Sequence, residues 1–326
     1  MSFVIAFAVA LVLIPVARRV ALATGLVDRP GDPSLAIHAR PVPLLGGPAV
    51  IAAAFIAVAV AGDGLPGSVL AATLVSLATG LMDDVRPLPP LLRLAIHAGA
   101  GVILAVDGLG VSPLGALAGT GVVLLVLATT NAFNMIDGQN GLAGGTVAAA
   151  AVGLALIHPA GSPARAIGFA LAGGMLVFLV WNLPGRIFLG NGGAYGAGAL
   201  LAALAASATA EGWRGLLAAL ACLGVFAFET IFTVARRIST GAGLLTGDRQ
   251  HSYDIVAERG GSRVRSTYAF WVAGAIAAGL GIAVSRMRLA GGVALLGIAA
   301  VAAAITGLRI WTGRTRTPAG REGRSA

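Results

Sequence analysis

Residues 114–157 read LGALAGTGVVLLVLATTNAFNMIDGQNGLAGGTVAAAAVGLALI, two apolar runs separated by a polar segment. The runs 114–130 and 142–157 are 17 and 16 residues long, close to the shortest helix that crosses a hydrocarbon core about 30 Å thick. The segment between them, NAFNMIDGQNGLAGG (131–145), carries amides, a carboxylate and glycines. The stretch therefore predicts two membrane-spanning helices joined by a connector whose polar groups can bind a ligand or take part in catalysis.

The same alternation covers the whole chain. The sequence is 57% hydrophobic and 11% charged, and its mean hydropathy is +0.91, far from the averages of soluble domains. We expect an all-α, polytopic membrane helical bundle: one integral membrane domain (1–312) and a disordered cytoplasmic tail (313–326). Eleven transmembrane helices are predicted at 2–23, 46–61, 67–82, 91–106, 114–130, 142–157, 165–181, 197–210, 215–234, 267–285 and 289–311.

The arginines predict the orientation. All 22 basic residues are arginine, and alternating the connectors between two sides puts 18 on one side and four on the other. By the positive-inside rule the arginine-rich side is cytoplasmic, so the N-terminus lies outside and the C-terminus inside the cell. The net charge of +9 then reflects topology and contact with the anionic lipid bilayer, and no nucleic acid partner is expected. We expect a multi-pass protein of the inner (plasma) membrane.

This alternation places five polar segments together on the cytoplasmic side. They are HARPVPLLGG (38–47), the pair Asp83 and Asp84, NAFNMIDGQNGLAGG (131–145), FLGNGGAYG (188–196) and GDRQHSYD (247–254). The connectors on the opposite side are short and turn-like. A single polar site facing the cytoplasm is therefore predicted.

Asp83 and Asp84 follow an apolar span directly, so at least one carboxylate lies at the depth of the membrane interface. An unpaired charge is costly there and usually functional, as a metal ligand or in proton transfer. Two other interpretations stay open at this point: the pair ends one helix or caps the next, or it forms local ion pairs with Arg86 and Arg93.

Asn131, Asn134 and Asp137 are spaced three residues apart, and on a helical turn we expect them to share one face. The neighbouring glycines allow a ligand to approach the backbone. The alternative is structural, because asparagine and glycine also end helices and GLAGG can form a close helix-packing seam.

FLGNGGAYG predicts a glycine-rich loop that opens a helix, where backbone N–H groups attract phosphate. GDRQHSYD adds Arg249 and His251, which suit anionic oxygens, although a solvated loop has a similar composition. Together the segments favour Mg²⁺-dependent phosphoryl transfer between a soluble donor and a lipid phosphate.

The ordered motifs HARPVPLLGG, DD, NAFNMIDGQNGL, FLGN and DRQH resemble the polyprenyl-phosphate N-acetylhexosamine-1-phosphate transferase family, which includes the bacterial undecaprenyl-phosphate GlcNAc-1-phosphate transferases. The resemblance covers about residues 38 to 260. It implies ten or eleven transmembrane helices and transfer of a sugar 1-phosphate from a UDP-N-acetylhexosamine to undecaprenyl phosphate, with release of UMP. This reaction starts cell-envelope polysaccharide synthesis. Mg²⁺ is the implied cofactor, with Mn²⁺ as an alternative, and a homodimer is one option for assembly.

The resemblance also implies residue roles. The residues expected to be catalytic are Asp83, Asp84, Asp137 and His251. The expected metal ligands are Asn134 and Asn191. Substrate contacts fall to Asn140 and Phe188 at the uracil, to Arg249 at the diphosphate, and to Arg93 and Asn131.

One departure from the family pattern bears on activity. The pattern FxGD reads FLGN here, so Asn191 stands where a carboxylate is expected, and a neutral ligand weakens Mg²⁺ binding. A catalytically impaired member that binds nucleotide or lipid as a partner protein is therefore the alternative to an active transferase. A transporter or channel is a third hypothesis, but it predicts carboxylates at mid-span rather than on one face.

Overall fold

A computed structural model describes residues 1–29, 40–243 and 250–312. In these ranges the chain is almost entirely helical, with one two-stranded antiparallel pair, β1 (Val27–Asp28) and β2 (Val42–Pro43), in which Val27 faces Pro43. The α-helices are α1 Ser2–Thr24, α2 Gly46–Ala61, α3 Gly67–Val85, α4 Pro90–Val106, α5 Ala118–Ile136, α6 Leu142–Ile157, α7 Pro163–Asn182, α8 Gly190–Ala208, α9 Gly212–Cys222, α10 Gly224–Thr240, α11 Ser252–Gly260, α12 Arg263–Arg286 and α13 Leu289–Thr312. Short 3₁₀ turns precede α5 and α9, at Ser112–Leu117 and Thr209–Glu211.

Seven helical stretches in the described ranges are long and apolar enough, by length and composition, to cross a membrane. They are α1, α3, α5 with its preceding turn, α7, α8 together with α9, α12 and α13. Three shorter apolar helices, α2, α4 and α6, lie between them. The polytopic helical membrane class is confirmed, whereas the count of eleven spans, the orientation of the termini and the division at residue 312 stay predictions.

One predicted span is wrong as a single helix. Residues 215–234 divide at Leu223, where α9 ends and α10 begins. Leu223 has φ −89° and ψ 9°, the conformation between helix and turn, and Gly224 after it is a poor helix former. The predicted tail 313–326 lies outside the described residues.

Helix α8 is the centre of the bundle. Every residue from 192 to 206 is buried, and most of them are glycine or alanine. Small residues let membrane helices approach backbone to backbone, where dispersion contacts are densest. At Gly80 of α3, a β-carbon would lie 2.2 Å from the carbonyl oxygen of Asn191.

Hydrogen bonds connect the polar segments at one end of this bundle. Residues 43–47 pair with the loop before α8, through Phe188 N–H to the Pro43 carbonyl (2.8 Å) and Gly46 N–H to the Phe188 carbonyl (3.0 Å). At the opposite end, short polar contacts close the connectors, such as Ser112 N–H to Thr209 Oγ1 (3.0 Å). The predicted gathering of the described polar segments is therefore present in the fold.

The close approach at Gly80 gives a test of this packing. We expect Gly80→Ala to force α3 away from the start of α8 and to lower the free energy of unfolding by about 1 to 3 kcal/mol, the usual cost of overpacking. Thermal unfolding of the detergent-purified protein measures the effect.

The control is Gly99→Ala on α4, where nothing lies within 4 Å of the added β-carbon. Because alanine is the better helix former, this variant should be neutral or more stable by up to about 1 kcal/mol. Equal unfolding temperatures for the two variants would contradict the packing described.

Candidate active site

The two acidic residues at the end of α3 lie against the first turn of α8. Gly80, one turn earlier, lets the helices touch at Asn191. Asp83 is buried, with 6% of its surface exposed, and Asp84 is half-buried. The sequence places the pair at the membrane boundary, and the glycine contact brings α8 within hydrogen-bonding distance of both carboxylates.

Asp83 accepts four hydrogen bonds. Its Oδ1 accepts from Leu88 N–H (2.8 Å). Its Oδ2 accepts from Arg93 Nη1 (2.8 Å), the Tyr195 hydroxyl (3.0 Å) and Asn191 Nδ2 (3.2 Å). A buried carboxylate is stable only when paired and hydrogen-bonded, and here both conditions are met. Asp83 thus joins α3, α4 and α8, and the predicted ion pair with Arg93 is present.

Asp84 binds the N-terminus of α8. Its two carboxylate oxygens accept from Asn191 N–H (2.9 Å) and Gly192 N–H (3.3 Å). These N–H groups have no partner within the helix, and the helix dipole favours an anion at this end. The loop before Gly190 opens a helix as predicted, but the N–H groups expected to hold phosphate are engaged by Asp84.

An amide pair joins α5 to α8. Asn134 Nδ2 donates to Asn191 Oδ1 at 2.7 Å, and Asn191 in turn donates to Asp83. The carboxamide of Asn191 therefore uses both its donor and its acceptor inside the site. An aspartate at this position could not donate to Asp83.

Asp137 follows α5 directly and is half-buried. Desolvation by burial raises the pKa of this carboxyl well above its ordinary value of 3.8, and the nearby charge of Asp84 raises it further. Its carboxylate accepts no hydrogen bond from the described part of the chain. Two carboxylates that repel one another, next to amide oxygens, form a donor set of the kind that suits Mg²⁺.

The loop after Asp137 borders a cavity of about 150 Å³. The side-chain carbonyl oxygens of Gln139 and Asn140 are buried and have no partner among the described residues. The Gln139 amide donates to Thr267 Oγ1 (2.8 Å), and Thr267 donates to the backbone carbonyl of Asn140 (3.2 Å). The beginning of α12 therefore supports the loop that carries Asn140.

His251 lies at the start of α11 and is 8% exposed. Its Nδ1 is 2.9 Å from Glu229 Oε1. Its ring stacks on Tyr253, with centroids 5.2 Å apart and planes inclined by 2°. The Tyr253 hydroxyl donates to the Met135 carbonyl (3.0 Å), so this segment is attached to the turn that carries Asp137.

Asn131 does not join the site. It is exposed, and its Nδ2 donates to the Leu127 carbonyl of its own helix (2.8 Å). A step of three residues falls about 60° short of a full helical turn, so Asn131 and Asp137 point about 120° apart. The expectation that Asn131, Asn134 and Asp137 share one face is therefore wrong for Asn131.

Two other residues predicted to bind substrate, Phe188 and Arg249, do not lie among the side chains of the site that the structure describes. Phe188 is half-buried and pairs through its backbone with residues 43 and 46, which places it at the edge of the site. Arg249 lies outside the described residues. The structure therefore brings together Asp83, Asp84, Arg93, Asn134 and Asn191 directly, with Asp137 adjacent.

Sequence reasoning missed Tyr195 and Glu229 as site residues. Tyr195 lies four residues after Asn191 on α8, and that spacing puts two side chains on the same helix face. Glu229 is a lone acid in the apolar stretch VFAFETIF (225–232), and an ionisable residue in such a stretch is a functional candidate by default. Both signals were present in the sequence.

The hydrogen bonds of the two carboxylates predict opposite effects on stability. We expect Asp83→Asn to destabilise the protein by about 1 to 3 kcal/mol, because the new amide presents N–H groups to donors that are then left unsatisfied. Asp137→Asn should be neutral or stabilising near pH 7, because it removes a desolvated charge. Thermal unfolding of both variants beside the parent protein measures the difference.

The Asp137 effect has a definite pH dependence. A carboxyl whose pKa is higher in the folded state binds more protons there, so its ionisation costs stability as pH rises above 3.8. The stability gained by Asp137→Asn should therefore vanish at low pH and grow as pH rises. A gain that shrinks with rising pH would contradict the raised pKa.

Comparisons with known proteins agree with the motif order. The family described as "Glycosyl transferase family 4" matches residues 67–209. A "Probable undecaprenyl-phosphate N-acetylglucosaminyl 1-phosphate transferase" of Bacillus subtilis (strain 168) is 24% identical over 84% of this chain and 82% of its own. An "Undecaprenyl-phosphate alpha-N-acetylglucosaminyl 1-phosphate transferase" of Escherichia coli (strain K12) is 28% identical over 82% of this chain and 78% of its own.

A third relative is named for a different activity. A "Phospho-N-acetylmuramoyl-pentapeptide-transferase" of Desulforudis audaxviator (strain MP104C) is 36% identical over 49% of this chain and 48% of its own. The family match begins at α3 and ends just after α8, so it spans the carboxylate pair, Asp137 and Asn191. Residues 67–209 of the chain match glycosyl transferase family 4, as the resemblance of the motifs predicted.

Proposed function

We propose that the protein transfers a sugar 1-phosphate from a UDP-N-acetylhexosamine to undecaprenyl phosphate and releases UMP. An oxygen of the lipid phosphate forms a bond to the phosphorus that carries the sugar, and the bond from that phosphorus to the bridging oxygen breaks. UMP leaves with the bridging oxygen, and the lipid-linked sugar diphosphate starts envelope polysaccharide synthesis. The activities for which the Bacillus subtilis and Escherichia coli relatives are named support this reaction.

One observation carries the proposal: polar ends of α3, α5 and α8 meet in a single site, and one of its carboxylates has no hydrogen-bond partner in the part of the chain that the structure describes. Asp83 and Asp84 are engaged by protein donors. Asp137 accepts no hydrogen bond from the described residues, and its ionised form is destabilised by burial. Asp137 is therefore the carboxylate best suited to take up a proton or to hold a cation.

The donor set fits Mg²⁺. Asp84 and Asp137, with the amide oxygens of Asn134 and Asn191, would hold the ion. Bound there, Mg²⁺ would neutralise charge on the diphosphate during transfer. A cation between Asp84 and Asp137 would also relieve their repulsion.

Arg93 is proposed to bind the phosphate of the lipid. Its side chain is 29% exposed, and Nη1 is held by Asp83 (2.8 Å) and by the Tyr195 hydroxyl (3.1 Å). Nε and Nη2 make no hydrogen bond within the described ranges, so they remain for anionic oxygens. Asp83 and Tyr195 fix the guanidinium at the membrane boundary, and the arginine-rich side of the chain supports a cytoplasmic site.

The second candidate function is a catalytically impaired binding protein, and one observation favours it. Asn191 supplies no negative charge to a cation, and its carbonyl oxygen already accepts from Asn134. Such a protein would bind nucleotide or lipid without turnover. The two candidates differ in one measurable quantity, the rate of sugar 1-phosphate transfer.

Reconstitution separates the candidates. The purified protein in lipid nanodiscs containing undecaprenyl phosphate is given UDP-sugars labelled in the sugar, across UDP-GlcNAc, UDP-GalNAc and their 6-deoxy relatives, with and without Mg²⁺. We expect label to enter the lipid fraction with one of these donors. Asp137→Asn should lower turnover by at least about 100-fold, the scale of a lost acid–base group or ligand, while the protein stays folded.

The outcomes are distinct. Nucleotide binding by calorimetry without transfer from any donor would favour the binding protein. If the parent protein transfers the sugar 1-phosphate, full turnover in Asp137→Asn would show that this carboxylate has no part in the mechanism.

Asn191→Asp tests the metal site. The substitution places a carboxylate oxygen where an amide now donates to Asp83 at 3.2 Å, so it adds repulsion that a cation relieves. We expect the variant to unfold at a lower temperature in EDTA, to regain stability with Mg²⁺, and to reach half-maximal turnover at a lower Mg²⁺ concentration than the parent protein.

Asn191→Ala is the matched control. It removes the same hydrogen bonds without adding charge, so its unfolding temperature should not respond to Mg²⁺ more strongly than that of the parent. An identical Mg²⁺ response in the two variants would exclude position 191 from the cation site.

A further inference from the structure

Glu229 is the most completely buried acid in the described chain. It lies on α10 with no exposed surface, in the apolar stretch VFAFETIF (225–232). A carboxylate in such surroundings is costly unless its oxygens are fully hydrogen-bonded. The hydrogen-bond donors to Glu229 therefore indicate which part of the protein this carboxylate positions.

Those partners lie mainly in one place, the beginning of α11. Glu229 Oε1 accepts from His251 Nδ1 (2.9 Å) and from Ser252 N–H (3.3 Å), and Oε2 accepts from the Ser252 hydroxyl. The one donor from its own helix is Thr233 Oγ1 (2.9 Å). The carboxylate thus connects α10 to the residue that starts α11 and to the imidazole beside it.

The contact at Nδ1 determines which ring nitrogen of His251 carries the proton. A carboxylate accepts only, so Nδ1 is the protonated nitrogen, and Nε2 of the neutral ring is left with its lone pair. Nε2 has no hydrogen-bond partner in the described residues. Glu229 also stabilises the imidazolium when Nε2 takes up a proton, as a carboxylate does for a histidine that exchanges protons with substrate.

The ring is held in orientation as well as in tautomer. It stacks on Tyr253, whose hydroxyl donates to the Met135 carbonyl at 3.0 Å. A β-carbon on Gly138 would lie 1.9 Å from that hydroxyl oxygen, so the tyrosine packs directly against the turn that carries Asp137. A continuous set of contacts therefore leads from Glu229 through His251 and Tyr253 to the proposed site.

We propose that Glu229 is a positioning residue for the transfer reaction: it accepts a hydrogen bond from His251 Nδ1 and so directs Nε2, as the donor of the protonated ring, to the anionic oxygens of the nucleotide-sugar diphosphate. The proposal rests on the proposed function. It assigns the buried acid of α10 a role through His251, without contact to the substrate.

A double-mutant cycle tests the proposal in the reconstituted transfer assay. We expect Glu229→Gln to lower kcat by about 10- to 100-fold, the range found for outer-shell partners of functional histidines, with little change in KM for the UDP-sugar. Glu229→Asp, which keeps the charge, should recover part of the loss. In the His251→Gln background, Glu229→Gln should have no further effect.

The control is Thr230→Val on the same helix. Its hydroxyl donates only to the Phe226 carbonyl of α10 (2.9 Å), so turnover should stay at the parent level. Unchanged kcat in Glu229→Gln, or losses that multiply in the double variant, would overturn the proposal. If Glu229→Gln does not fold, Glu229→Asp takes its place in the same cycle.

A spectroscopic measurement separates this proposal from the proposed function. In ¹⁵N-histidine-labelled protein, with His251→Gln used for assignment, His251 should show the Nδ1–H tautomer in the parent and lose it in Glu229→Gln. An Nε2–H tautomer in the parent would overturn the positioning role. Absence of transfer from every UDP-sugar, with the Nδ1–H tautomer present, would instead overturn the proposed function alone.

Discussion

The four hydrogen bonds to Asp83 are the interaction on which the rest of the site depends. Three of them come from Leu88 N–H in the loop before α4, from Arg93 on α4 and from Tyr195 on α8. One carboxylate therefore sets the relative positions of α3, α4 and α8. The fourth, from Asn191, extends the network through Asn134 to α5. Because an unsatisfied charge at this depth is costly, the helices cannot separate without leaving Asp83 exposed to that cost. The same interaction that holds the fold therefore orients Arg93.

Close contact between α3 and α8 allows these hydrogen bonds to form. Carboxylate side chains are short, so Asp83 and Asp84 can bind α8 only if the backbones of α3 and α8 almost touch. The glycines at 80 and 192 and the small residues along α8 provide that approach. Asp84 then completes the first turn of α8, where a carboxylate satisfies two N–H groups and the helix dipole at once. The small residues that let α3 and α8 pack closely therefore also allow the Asp84 carboxylate to bind the N-terminus of α8.

Much of this could be predicted from the sequence, for a physical reason. Apolar spans of regular length alternate the connectors between two sides, so the convergence of the polar segments follows from counting. The ion pair between Asp83 and Arg93 also follows from the sequence, because the two residues are only ten positions apart on either side of the short connector between α3 and α4. The bond from Tyr195 to Asp83 joins residues 112 positions apart, and no local pattern specifies such a contact. Asn131 lies outside the site because a spacing of three residues does not keep side chains on one helix face. The break at Leu223 is not visible in the sequence, because residues 215–234 form one largely apolar run.

Asn191 changes the charge balance of the site. With asparagine there, the guanidinium of Arg93 pairs with Asp83, and the carboxylates of Asp84 and Asp137 have no ion pair within the described residues. An aspartate would add a fourth carboxylate beside Asp83, and the site would then need a cation to remain closed. The carboxamide instead donates to Asp83 and accepts from Asn134, so the protein itself supplies part of the neutralisation. A site of this kind can stay assembled without metal, and under the proposed function a cation would be required for the charge on the diphosphate rather than for the fold.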